Sequence, residues 1–358
     1  MWMTAARIRR TMRSWIPITG IALALALIPA HRAGAINAPT ALHSHNSYFA
    51  YLFYLQTSPF TATSARATGV QLGTLMSYGS TYQLAVLNGE DGTEPDFENP
   101  YSEQDAESMY TEWHMSLGMW PSARMGVRLL HVLQYGGFMD STIIGFHELF
   151  GFPGAGREYR PRDQISFFMH PTQWDTFARF HPVMGFQYVA LDLLQSVLPA
   201  GGGAVPALSL EASIKLPLNS WGYQQSGIDL MSRLLLAWQL GRREEILVDG
   251  HIGVAHFARP AVVPEEVFGN LAVPFGASLA WTVSPVLRPT FSVSGMTSLY
   301  DVGLRRLDRF TAWFSLGASW QVSDRLAVQM SFSEEFLTFA VADVALHINV
   351  FATAGGGS

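Results

Sequence analysis

The chain has 358 residues, 49% of them hydrophobic and only 14% charged, with no cysteine and a formal net charge of −6. So few charges, against ~25% in soluble domains, argue against an ordinary secreted globular domain, and the missing cysteines leave no disulfide framework or thiolate chemistry. An acidic balance also argues against nucleic acid as a partner, since that requires a basic face.

At the N-terminus, Arg7, Arg9, Arg10 and Arg13 precede an apolar run from Ile16 to Pro29 and a small-residue site, Ala33-Gly34-Ala35. This order reads as a cleaved signal peptide over residues 1–35. The apolar run is too short for a spanning helix, which needs ~20 apolar residues. Removing the signal leaves 17 basic against 28 acidic residues, a mature charge near −11.

Residues 36–66 hold Tyr48, Phe49, Tyr51, Phe53 and Tyr54 without a clean period. Two readings stay open for them: a plug folded into a lumen, favoured, or an extra strand. From residue 67 the apolar residues alternate. The clearest strand is Phe310 to Val322, with Phe314, Leu316 and Trp320 on one face and Thr311, Ser315, Gly317 and Ser319 on the other. Period two over this length suits a tilted membrane strand of ~9–11 residues plus its ends.

Twelve such strands are predicted, at 67–86, 107–119, 123–135, 183–194, 206–216, 228–240, 245–257, 271–284, 286–299, 309–321, 325–335 and 341–351. Trp120, Trp238, Trp281 and Trp320 each stand just before a short turn, where an amphipathic ring meets a membrane interface. An even count puts both chain ends and all four tryptophan turns in the periplasm, with the long segments 87–106 and 136–182 outside. A fourteen-strand count adding 47–55 and 162–170 loses that asymmetry. The fold class is therefore an all-β, antiparallel transmembrane barrel over residues 67–351, followed by a Gly-rich tail at 352–358. A soluble secreted β-protein is the rival at the level of fold.

Segment 136–162 is expected to carry a short helix, with Ile143, Phe146, His147, Leu149 and Phe150 on one apolar face and Pro153-Gly154 as its stop. As an outer loop it can act as a lid, its Arg157, Arg160 and Arg162 meeting lipopolysaccharide phosphates. Segment 87–106 is acidic and reads as solvated. Alternation turns Glu112, His114, Glu211, Lys215, Asp229, Arg233, Asp249, His251, Asp343 and His347 inward. These residues make a polar, charge-paired lumen that either passes or binds a small polar solute or is simply filled by itself.

Gly136-Gly137-Phe138-Met139-Asp140, Phe146-His147-Glu148-Leu149-Phe150-Gly151-Phe152-Pro153-Gly154-Ala155-Gly156-Arg157 and Arg160-Pro161-Arg162 carry a further signal, with Lys215-Leu216-Pro217 and Ala342-Asp343-Val344 beside them. Through these residues the chain resembles the bacterial domain-of-unknown-function family 3187. The resemblance implies an exported, outer-membrane-barrel-like protein and assigns no catalytic residue.

No zinc motif, phosphate-cradling glycine loop or Gly-x-Ser-x-Gly elbow appears, so neither cofactor nor metal is expected and an enzyme is not. His43-Ser44-His45-Asn46-Ser47 has suitable residue types, but neighbours on an extended strand point to opposite faces. The expected role is a narrow channel or binding barrel for a small solute in a Gram-negative outer membrane, bordered by lipid and lipopolysaccharide. A structural or adhesion barrel is the alternative, and a lipid-acting enzyme a weaker one.

Overall fold

The computed structural model describes residues 41–44, 54–64, 69–85, 102–150, 162–163, 165–169, 183–199, 205–218, 227–240, 245–260, 265–301, 310–335 and 344–354. The expected signal peptide lies outside them, as do Arg157, Arg160, Asp343 and most of the acidic segment 87–106.

Alternating sequence becomes alternating exposure. In β6 (Asp229–Leu240), every second residue from Asp229 to Ala237 is buried and every residue between is exposed. The full set of staves is β1 (Val70–Ala85), β2 (Ser102–Trp120), β3 (Ala123–Tyr135), β4 (Val183–Leu198), β5 (Ala207–Pro217), β6, β7 (Ile246–His256), β8 (Leu271–Ala272 and Pro274–Trp281), β9 (Leu287–Met296), β10 (Thr311–Ser323), β11 (Leu326–Glu335) and β12 (Val344–Ala354). Each pairs antiparallel with the next, and β1 pairs with both β2 and β12, closing a twelve-stranded barrel. Closure leaves no edge strand, the arrangement a sheet needs in lipid.

Most staves begin and end within a few residues of the expected bounds. β2 differs most: it starts at Ser102, five residues early, because its upper end stays paired to β1 as far as Ser102↔Ala85. The short strand Ser166–Met169 falls inside the fourteen-strand alternative's 162–170, but it is four residues long and pairs only with the tip of β2, so it is not a stave. β8 is interrupted at Val273 with no change of register, since Pro274 has no N–H to give the ladder. A helix, α1 (Asp140–Phe150), forms in the expected place. Its Ile143 is buried, whereas Leu149, expected on the same face, is 77% exposed. Glu107 of β2 accepts the Met139 N–H and ties the start of α1 to the wall.

Outward residues are apolar and exposed, among them Leu210, Leu234, Ile252, Leu279, Phe291, Leu316 and Ile348. Inward residues are polar and buried, among them Glu211, Arg233, Ser292, Ser315, Gln329 and His347. A molecule greasy outside and polar inside is inverted relative to a water-soluble sandwich, whose apolar faces meet at a core.

Candidate functional site: a lumen filled by the N-terminal segment

Residues 41–44 and 54–62 lie inside the ring. Tyr54 sits at the long-loop end, its hydroxyl 3.0 Å from that of Tyr300 and its ring against Phe257 and Phe268. Ala62 lies toward the short-turn end, its carbonyl accepting from Ser209 near the start of β5 at 2.7 Å. Residues 54–62 thus descend most of the lumen before the chain enters β1. They lack regular structure, so their backbone groups need partners from the wall.

The wall supplies them with charges on one side. The Leu55 N–H donates to Asp229 at 3.0 Å. Arg128 donates to the Gln56 carbonyl at 2.9 Å, and Arg233 donates to the carbonyl and hydroxyl of Ser58. On the other side amides and hydroxyls do the same work for residues 41–44. The His43 N–H donates to Gln329 Oε1 and the His43 carbonyl accepts from Asn349, both at 3.0 Å. The Leu42 N–H reaches Ser292, and Ser44 takes the indole N–H of Trp313 at 3.1 Å.

The charges themselves are paired. Arg128 makes a two-pronged contact with Asp192, at 2.8 and 2.9 Å, and turns a third N–H to Glu112 at 3.4 Å. Glu112 also has His43 Nε2 at 3.6 Å. Glu211 receives Arg233, and Lys215 Nζ stands 2.7 Å from Asp229. The Ser213 hydroxyl stands 2.6 Å from Asp192 and 2.9 Å from Glu211, its one proton shared between the two groups. Each of these ionisable side chains, His43 aside, is at most 3% exposed.

Of the inward candidates named above, Glu112, Glu211, Lys215, Asp229 and Arg233 fall in this network. The partners run across strands, Glu211 with Arg233 and Lys215 with Asp229, because register places them opposite one another on β5 and β6. His114 is buried beside Phe351, with neither ring nitrogen hydrogen-bonded among the described residues. Asp249 and His251 lie on β7, facing a gap beside the segment. His347 stands between Ser77 (2.6 Å) and Ser333 (2.8 Å), stapling β1, β11 and β12.

Arg128 and Asp192, the centre of the network, are absent from the sequence-derived set. The frame Arg124-x-x-x-Arg128 in β3 and Asp192 between Leu191 and Leu193 in β4 carries the signal that would have found them. Arg162 is exposed and donates to Ser141. Trp120, Trp238, Trp281 and Trp320 are 38–59% exposed and stand at or near strand ends that run into short connections.

Over residues 22–351 the sequence matches the family described as "Protein of unknown function (DUF3187)". The chain belongs to that family. No protein with a curated description matches it. Among solved structures it is similar to the COG4313 outer membrane channel from Pseudomonas putida F1, with 12% identity over 80% of this chain and 96% of that one and a TM-score of 0.51. The NanC porin aligns with 4% identity over 79% and 100% of the two chains at a TM-score of 0.41. The P. putida toluene transporter TodX aligns with 10% identity over 83% and 93% at 0.40. The first of these likenesses establishes the fold of this family member: a closed, outer-membrane type of β-barrel.

Proposed function

We propose that the protein is a narrow outer-membrane channel or binding barrel for a small solute, reached by way of an N-terminal export signal, with residues 36–66 as its occluding element. The observation that carries this reading is the hydrogen bonding of residues 54–62 to Arg128, Asp229 and Arg233. A barrel of about eight strands is filled by its own side chains; twelve strands leave room that here is taken by a separate stretch of chain. The polar groups freed on opening are solvated, whereas Tyr54, Leu55 and Phe60 of the segment also pack on apolar side chains of the interior, a cost that keeps the segment seated at rest.

The similarity to the COG4313 channel agrees with this role. Outer lipid and lipopolysaccharide are the surrounding partners, Trp120, Trp238, Trp281 and Trp320 marking the inner interface and Arg157, Arg160 and Arg162 lying on the loop turned to lipopolysaccharide phosphates. One observation favours the non-transporting reading: the lumen charges are matched almost pair for pair, which suits a static, self-neutralised interior. Catalysis has less support. Ser77 meets His347, but both are at most 2% exposed, and His347 contacts no carboxylate among the described residues.

The test is conductance of the refolded mature protein in a planar bilayer beside a version lacking residues 36–66, with uptake of small sugars and amino acids into liposomes as a second readout. Larger openings and solute uptake after the deletion are the expected result. Silence and no uptake from both proteins overturn the channel reading.

A further inference from the structure

Two histidines in the lumen share an arrangement. His114 on β2 faces Gly73 on β1, and His251 on β7 faces Gly276 on β8, each pair in register. In both, the imidazole lies over the bare glycine: a Cβ added at Gly73 would stand 1.9 Å from the His114 ring, and one added at Gly276 would stand 2.5 Å from the His251 ring. The glycine is thus a notch that makes room for the ring against the wall.

Around His251 the notch has a consequence. A cavity of about 40 Å³ separates the N-terminal segment from the wall there, lined by Ser44, Ser58, Arg233, Asp249, His251 and Ser278 among others. That is room for roughly three waters. Two buried polar atoms at its walls, Arg233 Nε and His251 Nε2, have no hydrogen-bond partner among the described residues. Groups of this kind are satisfied by water when the site is polar and has space for it. The space persists because small side chains build that side of the inner wall, with the inward-facing Ser278 and Ser294 taking part in the lining.

We propose that this gap is the constriction through which water and small inorganic ions cross the barrel while the N-terminal segment stays seated, and that His251, folded over Gly276, sets its width. The inference rests on the channel reading and adds to it a resident path with its own size limit, distinct from the wider lumen opened by displacing the segment. Arg233 and Asp249 both border the gap, so neither sign of ion is excluded.

Single-channel recording on the full-length mature protein in potassium chloride tests this with Gly276→Ala, His251→Ala and the double variant. The methyl group at 276 drives the imidazole off the wall into the gap, and conductance falls severalfold. His251→Ala removes the ring and conductance rises. In the double variant the added methyl has nothing to push, so its conductance stays close to that of His251→Ala. This non-additivity separates the mechanism from a general loss of folding, which would silence the double variant too. Asp249→Asn shifts the reversal potential in a salt gradient toward anion preference. A silent wild-type protein, or one indifferent to both single substitutions, overturns the proposal. If the version lacking residues 36–66 still passes solutes in that case, the channel reading survives without it.

Discussion

The two halves of the lumen wall hold the same segment by different chemistry. Strands β2–β6 present Glu112, Arg128, Asp192, Glu211, Lys215, Asp229 and Arg233, and they grip residues 54–62. Strands β9–β12 present Ser292, Ser315, Gln329, Ser333 and Asn349, and they grip residues 41–44. A hydrogen bond to an ionised group contributes ~1.5–3 kcal/mol and a neutral one ~1 kcal/mol. The charged contacts therefore anchor and the neutral contacts guide. The charges are also interdependent, because each buried ion is compensated by the next one.

The contrast can be broken from the charged side first. Arg128→Met leaves Asp192 and Glu112 buried without their cation and should cost ~3–5 kcal/mol, read as a lower urea midpoint of the barrel in detergent. Since the chain has no cysteine of its own, a single cysteine at position 62 or position 42 reports seating through its reaction with a water-soluble thiol reagent. With Arg128→Met, labelling at 62 should rise more than at 42. Equal rises at both positions would dissolve the distinction between the two halves.

Lys215→Met comes next, at ~2–3 kcal/mol. It removes the cation from Asp229 while leaving that carboxylate its bonds from the Leu55 and Ala258 N–H groups. Gln329→Ala loses bonds to the His43 N–H and the Ala41 carbonyl and should cost ~1–2 kcal/mol, with faster labelling at 42 and little change at 62. A larger loss here than for Arg128→Met would reverse the assignment of anchor and guide. The smallest effect is expected outside the lumen: Trp281→Leu gives up an outward ring for ~1 kcal/mol and should leave labelling at both positions unchanged.

Much of this architecture is legible in the sequence because period two is a local signal. Thr311, Ser315 and Ser319 read as one face of a strand before any partner is known, and so do Glu211 and Lys215. What pairs with what is not local. Glu211 and Lys215 share a face of β5, yet each bonds across to β6, and the register that decides this emerges only when two strands meet. Arg128 and Asp192 stand 64 residues apart in the chain, so no spacing rule joins them. Residues 54–62 carry no period at all. Their path is set by carbonyls and N–H groups, which every residue has, meeting side chains scattered over several strands. The aromatic run before them signals burial but not where.

The length of β2 has a consequence for how the barrel stands in a membrane. Nineteen residues at ~3.4 Å each span about 60 Å, and a tilt of ~40° still leaves about 45 Å of height against an apolar band of ~25 Å. The paired part of β1 and β2, up to Ala85↔Ser102, therefore overshoots that band by about 20 Å, like a mast. With the long-loop end outward, as the even strand count predicts, a short epitope inserted between Ala85 and Ser102 would give intact cells a handle for antibodies or phage while leaving the short-turn end of the barrel untouched.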